Sequence, residues 1–221
     1  MKNPLIIILI GKSGSGKGTQ ADLLMEKFSL DYIGAGNMIR ARMKKEDFTG
    51  RKIKSLYKKG ILYPVSVVFD LWLDNIEKFK KKKNFRGLVI DGNPRRLIEA
   101  QLMDSALGWY EWDKNVKVIL VDISDKEAIL RLTKRRICKN CKELIPYVGE
   151  FKKLKKCHKC GGQLIKRADD TIKSAKNRIN WFKKDVGPAI NYYEKTGRLI
   201  KINGEQPIND VFKDILKELK A

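Results

Sequence analysis

The chain has 221 residues, 43% of them hydrophobic, enough to bury one main core and ordinary for a globular protein. Its apolar run Leu5–Ile10 is far too short to span a bilayer and no other stretch is longer, which excludes a transmembrane protein. Lysine and arginine total 48 against 26 acidic residues, a formal charge of +22, which is read first as a solvated lysine-rich surface and otherwise as a sign of nucleic acid, an anionic membrane surface or small phosphorylated substrates.

Leu5–Ile10 reads as a strand buried on both faces, and it runs directly into GKSGSGKGT, Gly11–Thr19, not into a leader cleavage site. The expectation is a soluble cytoplasmic protein. Gly11, Gly14, Gly16 and Gly18 let backbone N–H groups turn inward, and with the start of the next helix they make a concave anion site. Lys17 adds a point charge for the outer phosphates of a nucleoside triphosphate. The residue after this lysine is Gly18, where a strict phosphate loop has Ser or Thr, and the hydroxyl comes one later, at Thr19.

Helical periodicity follows over Gln20–Phe28, then a short β-like Asp31–Ile33, helices over Met38–Lys45 and Arg51–Lys59 ending at Gly60, and an amphipathic helix from Pro64 to Phe79. Arg86–Asp91 is a second buried strand. Its terminal carboxylate, Asp91, is positioned to hold Mg2+ at the sheet's carboxyl edge or, more plainly, to cap the next turn. A helix over Leu97–Leu107, a strand over Val116–Ile123 and a helix over Asp125–Arg135 come next. The segment Ile137–Lys166 breaks the pattern, Asp170–Thr196 returns to helix with Pro188 as a kink or restart, Leu199–Ile202 is a last strand, and Pro207–Lys220 a closing helix. Alternating strands and helices predict an α/β fold with a parallel sheet covered on both faces.

The cysteines are spaced Cys138-x2-Cys141 and Cys157-x2-Cys160. Two such pairs offer four thiolates and no open position, the pattern of a structural Zn2+ site. Disulfides or free thiols are the alternative, and iron is not distinguished from zinc. His158, inside the second pair, is expected to be a bystander.

Six segments then carry a family resemblance. DGNPR (Asp91–Arg95) resembles the DGFPR signature of adenylate kinases, and YIGAGNMIR (Tyr32–Arg40) their YISTGDMLR. RLTKRRICKNC (Arg131–Cys141), CHKCGGQL (Cys157–Leu164) and KRADDTIKSAKNR (Lys166–Arg178) resemble the lid of the zinc-bearing members, and NGEQPI (Asn203–Ile208) the segment beside the ATP base. These matches fall in family order across nearly the whole chain.

The resemblance implies a P-loop NTPase-like core (residues 1–33, 64–133 and 171–221), a helical monophosphate-binding insert (34–63) and a zinc-stabilised lid (134–170). It implies ATP and AMP as substrates, Mg2+ as catalytic cofactor and Zn2+ as structural ion. Gly14, Ser15, Gly16, Lys17, Gly18 and Thr19 would hold the ATP phosphates, and Arg131 and Gln206 would flank the ATP base. Arg40 and Arg95 would hold the acceptor phosphate, with Arg135, Arg167 and Arg178 around the transferring group and Asp169 and Asp170 orienting the arginines. Ala35, Tyr63, Asn93 and Glu99 would complete the acceptor site. The acceptor oxygen is already anionic, so this chemistry needs cations and dryness more than a general base.

The departures cluster at the acceptor base. Ala35 replaces a hydroxyl residue, Asn37 an Asp and Asn93 a Phe, and Glu99 stands where the family's Gln reads the AMP base. An ionised Glu only accepts hydrogen bonds, so Glu99 would take one from adenine, guanine or cytosine, unless Gln101 or the backbone does the reading. A monophosphate kinase of broadened or shifted base preference is therefore the second reading. A nucleic-acid-binding switch built from a P-loop and a zinc ribbon is the third, disfavoured by the absence of an aromatic-interleaved basic stripe around the cysteines.

Overall fold

The structure is a computed structural model that describes residues 3–59, 61–167 and 170–220. The expected helix end at Gly60 and the role of Asp169 lie outside the described residues. In chain order, β1 (Leu5–Ile10) leads through the glycine loop to α1 (Lys17–Phe28), β2 (Asp31–Gly34), α2 (Ala35–Arg42), α3 (Phe48–Lys59) and α4 (Val65–Lys80). Then come β3 (Gly87–Asp91), α5 (Leu97–Trp109), β4 (Val116–Asp122) and α6 (Asp125–Lys134). The cysteine segment holds β5 (Arg136–Cys138), β6 (Leu144–Ile145) and β7 (Leu164–Lys166). The chain closes with α7 (Ile172–Trp181), a π-helical turn (Phe182–Val186), α8 (Gly187–Lys195), β8 (Leu199–Asn203) and α9 (Ile208–Leu219).

Five strands form a parallel sheet in the order β2-β3-β1-β4-β8. The unbroken apolar run of β1 has a simple cause: it is central and both its faces are covered. Ile6, Ile8 and Ile10 pack with Trp72 and Ile76 of α4, Met103 and Leu107 of α5, and Tyr193 of α8. Ile7 and Leu9 face the other way, onto Ala21 and Leu24 of α1 and Val211 and Ile215 of α9. Each isoleucine so enclosed contributes roughly 1.5–3 kcal/mol.

This stacking positions the site. Register pairs Leu9 with Asp91 and Ile10 with Leu120, so β1, β3 and β4 end along one edge, where the glycine loop turns over the sheet. Beyond β2, α2, α3 and the start of α4 share a small core of Ile39, Ile53 and Tyr63. The three short strands β6-β5-β7 form a separate antiparallel sheet. Among the described residues, no helix is long and apolar enough to cross a membrane.

Three predicted helices shift. α1 begins at Lys17, not Gln20, because Gly16, at φ 102°, ends the loop and starts the helix at once. α2 spans Ala35–Arg42 instead of Met38–Lys45, its first turn made of small residues that show no apolar period. α3 starts at Phe48 because the Asp47 side chain accepts the Gly50 N–H, at 2.7 Å, ahead of the periodic stretch.

Candidate active site

The glycine loop is pressed against the end of β4. A Cβ on Gly11 would lie 2.4 Å from the Val121 carbonyl oxygen, so no larger residue fits there without moving the strand. The turn closes through the Lys12 carbonyl, which accepts the Ser15 N–H at 3.1 Å. The same carbonyl, at 3.0 Å, and that of Gly11, at 2.8 Å, accept hydrogen bonds from the Lys17 ammonium. Burial pulls the Lys17 pKa down; the Asp91 carboxylate opposes this, and Arg95 and Arg135 add to it. Gly18 needs no special backbone. It lies in the first turn of α1, where a Cβ would meet nothing within 4 Å, and its N–H belongs to the helix N-terminus.

Asp91, at the end of β3, accepts the Tyr32 hydroxyl at 3.1 Å. Burial raises the Tyr32 pKa and the Asp91 charge raises it further, so this hydroxyl stays a donor at neutral pH. Asp91 and Thr19 line one cavity beside Lys17. A carboxylate and a hydroxyl are hard oxygen donors, the set that suits Mg2+ carried in with phosphates.

That cavity measures about 1610 Å³ and is lined by the loop from Gly14 to Thr19 together with Arg40, Tyr63, Arg95, Arg131, Arg135, Arg167, Arg178 and Gln206. Single-ligand pockets are about 300–1,000 Å³, so this space suits two nucleotides. Arg131 is held by Glu127, four residues earlier on α6, at 2.6 Å. Arg135 and Arg178 converge on Asp170: Arg135 through Nε and through Nη2, the latter at 2.8 Å, and Arg178 at 2.9 Å. The Asp170 side chain is 2% exposed. One buried carboxylate therefore orients two guanidinium groups, one just past the end of α6 and one on α7. Arg95 Nε donates to the Gly92 carbonyl at 3.0 Å, Arg40 pairs with Asn37, and Gln206 bridges the Asn203 carbonyl and Asp214.

The acceptor-base positions divide. Tyr63 lines the cavity, whereas Ala35, Asn93 and Glu99 are buried behind its surface. Glu99 is already occupied: one carboxylate oxygen accepts the Arg95 backbone N–H at 2.7 Å. Burial raises its pKa, against the pull of that N–H and of Arg95 and Arg96. The sequence placed a freely accepting carboxylate here; the structure turns part of it to the backbone, because Glu99 falls where a helix N-terminus needs an acceptor.

The cysteines come together. The sulfurs of Cys138, Cys141, Cys157 and Cys160 lie within 4.8 Å of one another, with Cys138–Cys160 at 3.5 Å and Cys141–Cys157 at 3.6 Å. A disulfide needs about 2.05 Å. A tetrahedron of thiolates about 2.3 Å from a central zinc has edges of about 3.8 Å, which these spacings approach. The two halves repeat one geometry: the residue after the second cysteine, Lys142 or Gly161, is left-handed and donates its N–H to the first cysteine's carbonyl. Burial opposes ionisation at Cys138, but the Cys141 and Asn140 N–H groups and neighbouring thiols outweigh it and bring that thiol to about 6. His158 stacks edge-on against Phe151, 5.4 Å between ring centroids.

Sequence reasoning passed over Lys12, Tyr32, Glu127 and Glu205. Lys12 makes ion pairs with Asp122 and Asp125, and Glu205 accepts the Ser124 N–H at 2.6 Å. The i,i+4 spacing of Glu127 and Arg131 was a visible signal. The others are long-range contacts with no local pattern.

Comparison with known proteins agrees with this geometry. The family model described as adenylate kinase matches residues 9–198. The chain is similar to adenylate kinases of Chlamydia trachomatis serovar L2, at 35% identity with 100% of this chain and 92% of the relative covered, and of Bacillus thuringiensis, at 37% with 95% of each covered. It is also 34% identical to that of Caldicellulosiruptor bescii, over 96% of this chain and 98% of the relative. A glycine cradle, an arginine-lined cavity for two nucleotides and full-length similarity lead to one conclusion: the chain belongs to the adenylate kinase family.

Proposed function

We propose that this cavity carries the terminal phosphoryl group of ATP to the phosphate of AMP, giving two ADP. The observation that carries the reading is the convergence of Lys17, Arg95, Arg131, Arg135 and Arg178 on one space bounded by the glycine loop. The loop amides, Ser15, Gly16, Gly18 and Thr19 bind the donor phosphates, with Lys17 leaving its two carbonyls for phosphate oxygens. Arg131 and Gln206 bound the donor base. Arg40 and Arg95 hold the acceptor phosphate, and Arg135, Arg167 and Arg178 surround the group in transit, where the planar guanidinium grips phosphate oxygens bidentately.

No proton needs to be removed, because the attacking oxygen is an ionised phosphate. The protein's work is to align two anions, neutralise the crowded charge and exclude water. Closure of a lid over bound substrates, of which adenylate kinases are themselves a known instance, serves the last task. We assign that lid to 134–170, the acceptor insert to 34–63 and the core to the rest. Asp91 and Thr19 would hold Mg2+, which when bound neutralises charge on the donor phosphates. The four cysteines would hold Zn2+, which gives a lid too small for its own core a fixed shape.

The test is a coupled assay pairing ATP with AMP, GMP, CMP and UMP. AMP should be the preferred acceptor. Lys17→Met and Arg95→Ala should each lower kcat/KM by about 10²-fold or more; undiminished turnover in either would overturn the assignment.

A further inference from the structure

The first variable position of the glycine loop is a lysine whose side chain points away from the phosphate cradle. The Lys12 ammonium donates to the Ile123 carbonyl and lies 3.3 Å from Asp122 and 3.4 Å from Asp125, at the end of β4 and the start of α6. It sits 5.8 Å from the Phe182 ring centroid, at the π-helical turn, and its side chain is only 12% exposed. Its backbone carbonyl does a second task, closing the loop on the Ser15 N–H and holding the Lys17 ammonium.

We propose that Lys12 is a positioning residue, a brace that fixes the phosphate-gripping Lys17 against the N-terminus of α6, the helix that bears Arg131 and leads into Arg135. Three features argue for this. The ammonium is already clamped by two carboxylates and a carbonyl, so it is not a spare phosphate ligand. The backbone it anchors is the one that holds Lys17 and closes the loop, so a slack side chain lets that carbonyl drift. And α6 receives the same treatment from the other side: Ser124, its N-cap, donates its N–H to Glu205 at 2.6 Å, from the loop that carries Gln206. The loop under the donor phosphates and the loop beside the donor base are thus both fastened to one helix start, and a small displacement there is amplified at the reacting atoms.

The inference rests on the donor reading of the loop. The experiment compares the parent with Lys12→Met, which keeps the methylene stem on Phe182, with Asp122→Asn/Asp125→Asn, and with all three changes together. Steady-state kinetics for each substrate and thermal unfolding are measured. The expected result is a KM for ATP raised about fivefold to tenfold in both variants, KM for AMP within about twofold of the parent, and no further rise when the changes are combined. A purely structural role would lower the melting temperature without separating the two KM values, and would overturn the proposal. So would unchanged kinetics in Lys12→Met, or a rise there that the carboxylate variant does not reproduce, which would make the ammonium a direct phosphate ligand. A parent with no turnover would instead defeat the donor reading.

Discussion

Glu99 accepts the backbone N–H of Arg95 at 2.7 Å, so the acid at the start of α5 holds in place the arginine assigned to the acceptor phosphate. Its pKa is raised in the fold, chiefly by burial. The native state therefore keeps a proton that the unfolded chain has already released, and stability falls as pH climbs from the unfolded value through the raised one, staying lower above it. Glu99→Gln keeps an oxygen for the Arg95 N–H and removes the buried charge. It should melt higher than the parent at about pH 7.5, with the gap closing below about pH 4. Glu99→Ala should lose about 1 kcal/mol and raise KM for AMP. A glutamine variant melting below the parent at neutral pH would contradict this.

Asp170 binds two guanidinium groups while almost fully enclosed. Asp170→Ala removes the carboxylate that both cations share, so it should cost about 3 kcal/mol and lower kcat by about 10²-fold as the arginines lose their alignment. Denaturant unfolding and saturation kinetics check the two effects separately. Full turnover with normal stability would mean that the pairs form elsewhere when nucleotides bind.

The thiolate cluster should give tetrahedral thiolate spectra when loaded with cobalt, and chelation should lower the melting temperature by about 10 °C. Cys157→Ser should reproduce the loss. Phosphate-loop function should outlast it, with weak ATP binding still detectable by calorimetry after the metal is removed. A chelated protein melting at the parent temperature would show that the small sheet holds itself together.

Gly11→Ala puts a methyl 2.4 Å from the Val121 carbonyl oxygen and 2.8 Å from the Ser15 hydroxyl. Strand and loop must part to admit it, costing about 3 kcal/mol. Gly18→Ala, where a Cβ meets nothing within 4 Å, should be close to neutral in stability. Chemical denaturation of the pair provides the comparison.

Local and strongly patterned features were legible in the chain itself. β1, β3 and β4 announce themselves by apolar runs (LIIILI, GLVI and VILV) because helices cover both faces, and the paired cysteines declare their cluster by spacing. The strands of the cysteine segment are two or three residues each, too short for any period. The π-helical turn over Phe182–Val186 falls inside a predicted helix, where only Pro188 hinted at an interruption. At the site, the arginines were found by motif, but their orienting partners were found only partly: Asp170 lay in a motif, while Tyr32 on Asp91 and Lys12 on Asp125 join residues far apart in the chain.

The two carbonyls that hold Lys17 have an energetic consequence for turnover. On the proposed reading of Lys17, an arriving triphosphate would displace existing acceptors rather than complete a bare cation, and affinity would gain only the difference between phosphate and amide oxygens. Departure is eased by the same margin, since the ammonium has a resting berth to return to. A reversible catalyst that must shed nucleotide in either direction is well served by a grip that strong only in comparison with its own backbone.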